Sequence, residues 1–255
     1  MTIQLSIHYS FLAAAIFYMV SLVGAAGKKK TWAWYLFFAG LLCNAISLGL
    51  RYWITFPLLP LYQGAFFLPF VVGVIGIRFG IFHSNALVGI LPGFFIVTVL
   101  AWSAYLFPND FYLPFLQFKT LFAHGFFLLG VVGKSMFLLA GVKAVQVLFA
   151  QDREAGQAKS MGQIVSWGFV FWTLSVFAGA AWSWLGWGSP VIWDDPLMAT
   201  TMATWFVYSL LLHLHLTLFA GQRPRAWCIL AGAVWVFCFN CLTELGPFRL
   251  PGWLS

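Results

Sequence analysis

The chain has 255 residues, of which 62% are hydrophobic and only 7% charged, with a formal net charge of +7. A soluble domain carries about 25% charged residues, so this chain needs lipid as the solvent for most of its surface. That excludes a soluble enzyme or a nucleic-acid-binding module. It also moves the meaning of the positive charge to the loops between membrane spans.

In chain order, apolar runs separated by polar or Pro/Gly breaks predict an all-α polytopic membrane protein of about eight spans. They fall near 6–26, 33–53, 62–80, 86–106, 118–148, 163–184, 198–219 and 226–245. Each is close to the ~20 residues that cross a hydrocarbon core, and the fifth is long enough to tilt or project. The first run lacks a positive region before it and is followed by Lys28, Lys29 and Lys30, so it is expected as a retained span and not a signal peptide. With both termini outside, the inner loops hold Lys28, Lys29, Lys30, Arg78, Arg153, Lys159, Arg223 and Arg225. The outer side keeps Arg51, Lys119 and Arg249. That asymmetry follows the positive-inside rule. Residues 1–255 are expected as a single helical membrane domain, with an external Trp-rich loop at 182–197.

That loop is the densest signal in the chain. Residues 182–195 read WSWLGWGSPVIWDD, with Trp182, Trp184, Trp187 and Trp193 beside Asp194 and Asp195. Tryptophan favours the membrane interface, and a cluster of it between spans offers a platform for a large planar ligand, as well as an ordinary aromatic belt. Pro196 after the paired aspartates fits a helix start.

Ionisable groups inside spans are functional candidates by default. His8 and His124 fall near the outer ends of spans one and five, and His83 near the inner end of the third loop region. His213 is about 15 residues into span seven, hence about 22 Å deep, and His215 points elsewhere around that helix. Neutral imidazole is a good haem ligand, and two histidines can hold the iron from opposite sides. His124 and His213 are therefore candidate metal ligands, with His8 and His83 as further candidates and a packing role as the alternative for each. Lys134 lies near the middle of span five and must pair, snorkel or line a polar cavity, with a haem propionate among the candidate partners. Arg51 is another. Cys238 and Cys241 share a C-x-x-C spacing that suits a redox pair or two small interface residues. No phosphate-binding loop or paired carboxylate motif is present.

Several ordered stretches resemble the tryptophan-rich "WWD" signature of the CcsA-type cytochrome c assembly proteins. Trp187-Gly188-Ser189 … Trp193-Asp194 is followed by Thr204-Trp205-Phe206-Val207-Tyr208 and Leu212-His213. Upstream, Phe56-Pro57-Leu58 … Leu61-Tyr62 and Pro114-Phe115-Leu116-Gln117 … Leu121-Phe122-Ala123-His124 are similar to two further family stretches. The resemblance covers roughly residues 50–215. It implies a bacterial inner-membrane protein that handles haem b, as cargo or ligand, for c-type cytochrome maturation. His124 would be an external haem ligand, residues 187–194 a haem cradle, and His213 part of a site within the membrane. It further implies apocytochrome c and a separate CcsB-like subunit as partners, within a cytochrome c haem lyase. The similar HemX-like proteins imply instead a non-catalytic membrane regulator of haem biosynthesis.

The chain departs from that pattern at four places. Pro190 and Val191 replace the central Trp of the signature, Asp195-Pro196-Leu197-Met198-Ala199 replaces a P-K-E-T-W run, and Gln63-Gly64 replaces Glu-Ser. The tail Gly246-Pro247-Phe248-Arg249-Leu250-Pro251 has no His where the family carries a second external ligand. Either His8 or a substrate group completes external coordination, or haem is not held there in the family's way.

Overall fold

A computed structural model describes residues 2–56, 64–82, 87–109, 120–149, 155–191, 195–213 and 221–248. Among them are eight α-helices and no strand: α1 (Thr2–Ala26), α2 (Lys30–Thr55), α3 (Gly64–Arg78), α4 (Leu87–Leu106), α5 (Leu121–Phe149), α6 (Ala155–Trp187), α7 (Pro196–His213) and α8 (Gln222–Val236). A π-helical turn, Phe237–Cys241, and a short 3-10 turn, Leu242–Glu244, continue α8. Five of these segments are long and apolar enough to cross a membrane, and α3 and part of α4 are shorter apolar helices. Backbone polar groups cannot stay unpaired in hydrocarbon, and the all-helical design satisfies them within each segment. The chain is a multi-pass helical membrane protein.

The described helices overlap the expected spans and differ most at α6, which starts eight residues earlier and runs three further, while residues 214–219 of the seventh expected span lie outside the described residues. Its 33 residues make about 50 Å of helix, well beyond a ~30 Å core. Trp182, Trp184 and Trp187 therefore stand on its last turns, and the connection to α7 begins only at Gly188. Gly188 has φ +69°, and its N–H bonds the Trp184 carbonyl at 2.9 Å, so a glycine C-cap ends the helix.

The chain divides into two compact units, Met1–Phe115 with Glu244–Ser255, and Leu116–Thr243. In the first, α1 packs on α2 and α4, and α3 on α4 and α2. Its core is aromatic: Phe37, Phe82 and Phe94 meet at 4.9–5.3 Å between ring centroids. Gly40 lies against the Tyr18 ring and Gly93 against Phe82. Lipid tails are as apolar as the side chains, so close helix approach depends on such small residues. The tail joins this unit through Gly246 N–H to the Phe107 carbonyl (3.0 Å) and Asn109 Nδ2 to the Glu244 carbonyl (3.3 Å). The Glu244 carboxylate packs where a β-carbon at Gly64, the first residue of α3, would otherwise sit.

In the second unit α5 is the central helix. Its most apolar window is 72% buried, against 33% in α6 and 39% in the α8 segment. It packs on α6 and α8, while α7 packs on α6, α8 and the π turn. Small residues again set the spacing: Gly130 against Ser175, Gly133 against Trp172, Gly168 against Phe137, and Gly141 against Ala233.

Candidate functional site

The second unit brings together part of the expected site. Thr120 caps the start of α5, its hydroxyl accepting the Ala123 N–H at 3.3 Å. One residue on, His124 is half-buried. The register that sets Gly130 against Ser175 and Gly133 against Trp172 brings His124 level with residue 181, next to Trp182. Phe126 stacks on Trp182 at 6.2 Å and 23°, and Trp187 meets Trp182 edge-on at 5.3 Å. Gly179 is the reason Phe126 fits: a β-carbon there would lie 2.7 Å from its ring. The Ser175 hydroxyl donates to the Phe126 carbonyl at 2.6 Å and holds the same turn.

The connection folds back over this end of the helix. The Ser183 hydroxyl donates to the Ser189 carbonyl (2.7 Å), and the Ser189 hydroxyl to that of Val191 (2.9 Å). Trp184 and Trp187 remain exposed, whereas the Trp182 N–H is buried without a hydrogen-bond partner. A buried indole N–H normally finds an acceptor, so its direction marks a place for one.

His213 is the last residue of α7 and is exposed. Its Nδ1 lies 2.7 Å from the Ser209 carbonyl oxygen. A carbonyl only accepts, so Nδ1 carries a proton, and in the neutral ring Nε2 has the lone pair. That is the arrangement of an imidazole prepared to ligate a metal. Contacts of Trp172 with Thr201 and of Phe169 with Trp205 put His213 near the level of residue 162 of α6. His124 and His213 therefore lie about 28 Å apart along the bundle axis. They lie at two levels of the unit, too far apart to meet at one point.

Many tryptophan N–H groups serve the scaffold. Trp172 donates to the Thr201 carbonyl (3.3 Å), Trp205 to the Thr173 hydroxyl (3.0 Å) and Trp235 to the Thr204 hydroxyl (3.2 Å). All three tie α7 to its neighbours. Lys134 is buried in α5 and engaged within the fold. Asp195 immediately precedes α7, and its carbonyl accepts the Ala199 N–H at 3.2 Å, which agrees with the helix start expected at Pro196.

In the first unit His8 is exposed, its ring 5.3 Å from Tyr105, which Trp102 meets edge-on at 5.8 Å. Arg51 is buried with its guanidinium carbon 3.7 Å above the Phe66 ring, a cation–π contact. His83, His215, Trp193 and Asp194 lie outside the described residues, as do Pro57 to Tyr62 and Pro114 to Gln117. Cys238 is exposed and Cys241 buried, so the π turn presents them to different surroundings and not as an accessible dithiol. Among the described residues no three His, Cys, Asp or Glu side chains gather as a metal-ion site. Sequence reasoning missed Phe126, whose only signal was its place two residues beyond His124. It also missed the π turn.

Fold and site define a class: a multi-pass helical membrane protein with histidines at two levels of one helical unit and an aromatic platform beside the first. The chain belongs to the cytochrome c assembly protein family, whose model matches residues 58–244. Among similar proteins is a "Cytochrome c biogenesis protein CcsA" of Chlamydomonas reinhardtii, 32% identical over 85 residues, covering 33% of this chain and 24% of the relative. That of Trieres chinensis is 31% identical over 114 residues, covering 40% and 35%, and that of Synechococcus elongatus 34% over 86 residues, covering 33% and 26%. The matched stretches thus span about a quarter to a third of these relatives' length.

Proposed function

We propose that this protein handles haem b for cytochrome c assembly in a bacterial inner membrane. The names of its relatives support assembly over a HemX-like regulatory role. Haem is the cargo. The observation that carries the reading is His213, an exposed ring whose Nδ1 is tied to the Ser209 carbonyl, which leaves Nε2 as the nitrogen for a ligand. The donor set agrees: single imidazoles, one of them level with an aromatic cluster, suit the axial positions of a haem iron, and a divalent ion would need a cluster of ligands.

In this reading His213 holds haem at one station, toward the side of Arg223 and Arg225. His124 holds it at the other, outside, against Phe126, Trp182, Trp184 and Trp187, with Trp193 and Asp194 on the same connection. The buried Trp182 N–H is available to an acceptor on the cargo. His8, beside Tyr105 in the first unit, and His83 are further candidate haem ligands. The protein's own work is holding and orienting; haem supplies the reactive vinyl groups, and an apocytochrome c supplies the thiols. A CcsB-like subunit completes the assembly.

The test is an absorption spectrum of the purified protein. The wild type is expected to carry haem with low-spin, imidazole-ligated bands, and His124→Ala to lose one component that added imidazole restores. A wild type free of porphyrin, or a His124→Ala variant with unchanged haem content and spectrum, overturns the proposal.

A further inference from the structure

The π turn Phe237–Cys241 is the one place in the α8 segment where the α-helical register widens. Such turns are rare and add one residue to the helix, which swings the following side chains by about 100°. Asn240 lies within this turn and is only 3% exposed. Its Nδ2 donates to the Thr204 hydroxyl oxygen at 2.7 Å, shorter than any of the three tryptophan bonds that tie α7 to its neighbours. Trp235 Nε1 donates to the same oxygen at 3.2 Å. Both lone pairs of Thr204 Oγ1 are thereby used, and Thr204 itself is fully buried. Two donors converging on one hydroxyl set the rotation of α7 about its own axis.

That rotation has a consequence nine residues on. Nine residues are about two and a half turns, so Thr204 and His213 occupy opposite faces of α7. Burial agrees: Thr204 is at 0%, while Phe206 and Leu210 are each 66% exposed and His213 is exposed with them. Phe206, Leu210 and His213 are spaced by four and three residues and form one stripe directed away from the core of the unit. A flat apolar ligand held by Nε2 of His213 would lie along that stripe.

We propose that Asn240 and Thr204 are positioning residues. The π turn aims Asn240 at Thr204, this locks the rotation of α7, and the lock directs His213 and its apolar stripe outward toward the cargo. The inference rests on the haem reading of His213 but concerns α7 orientation, for which neither Asn240 nor Thr204 touches haem.

The experiment uses the full-length protein in a His124→Ala background, so that the remaining low-spin haem reports on His213. Thr204→Val and Asn240→Leu are expected to weaken haem retention at this station about 10-fold, as loss of a supporting hydrogen bond does at metal-ligating histidines. Free imidazole should restore the low-spin spectrum. Thr204→Ser keeps the acceptor and should behave as the parent, and the double variant should be no worse than either single one. With His124 present, haem at that station should be unchanged. Unchanged retention in both single variants overturns the proposal. So does equal loss at both stations, or loss in Thr204→Ser, because these mark general unfolding. A parent without any haem would instead fail the functional reading, a result distinct from these.

Discussion

Gly179→Ala tests how packing supports the aromatic platform. A β-carbon at 179 would lie 2.7 Å from Phe126 Cδ2 and 3.1 Å from Cε2. Ordinary contact begins near 3.4 Å, so the ring must retreat by about 0.7 Å. It is not free to do so. One face stacks on Trp182 at 6.2 Å, and the backbone carbonyl of Phe126 holds the Ser175 hydroxyl. Overpacking of this kind costs about 1–3 kcal/mol, while replacing a helical glycine by alanine returns up to about 1 kcal/mol. The expected net loss is about 0–3 kcal/mol, so the comparison that decides is with a glycine of the same helix that has open space.

Gly162 is the internal control. It lies on the same helix, and a β-carbon there meets nothing within 4 Å, so Gly162→Ala should be neutral or stabilising by up to about 1 kcal/mol. Unfolding of both variants in mixed detergent, followed by tryptophan emission, gives the comparison. Phe126→Leu should rescue Gly179→Ala through the pair's coupling energy. If Gly179→Ala is as stable as Gly162→Ala, with the same emission, then Phe126 does not occupy that slot and the platform is built some other way.

Tyr208 is fully buried, stacked 3.5 Å from Phe137, and its hydroxyl has no hydrogen-bond partner, so Tyr208→Phe should be neutral or stabilise by about 1–3 kcal/mol. A folded Tyr208→Phe variant that loses haem would show that the hydroxyl serves cargo instead. In the first unit, Gly246→Ala should damage the tail more than Gly64→Ala. The added carbon at 246 would strike the Pro108 carbonyl, which is backbone, whereas that at 64 meets the end of the flexible Glu244 side chain. Amide exchange at Gly246, whose N–H bonds the Phe107 carbonyl, ranks the two, and the reverse order refutes the packing.

The eight helices were legible because lipid imposes one requirement on every span: about 20 apolar residues with all backbone groups paired internally. The same rule hides whatever lies beyond the hydrocarbon. α6 begins with Ala155-Gly156-Gln157-Ala158-Lys159, too polar to count as span, and it ends on tryptophans that were expected in a loop. Hydropathy measures where lipid is and not where the helix stops. Gly188 stops it, through a positive φ that only tertiary context selects from among several glycines nearby.

The histidines divide along the same line. His124 and His213 were recognisable as candidates because imidazole is uncommon in spans, and their separation into two levels follows from helix length alone. The direction in which His213 points does not follow from its own sequence neighbourhood. Phe206, Leu210, Thr204 and Tyr208 are all compatible with either face of an apolar helix in lipid, where burying apolar side chains gains nothing over leaving them against the acyl chains. Hydrogen bonds from Trp172, Trp205, Trp235 and Asn240 supply that orientation. Each donor comes from, or is received by, another helix, and Asn240 arrives only because the backbone of α8 widens by a residue. An aromatic-rich composition therefore does two separate tasks here: exposed rings on the last turns of α6 form a surface, and buried indole N–H groups fix the helix that carries the second histidine.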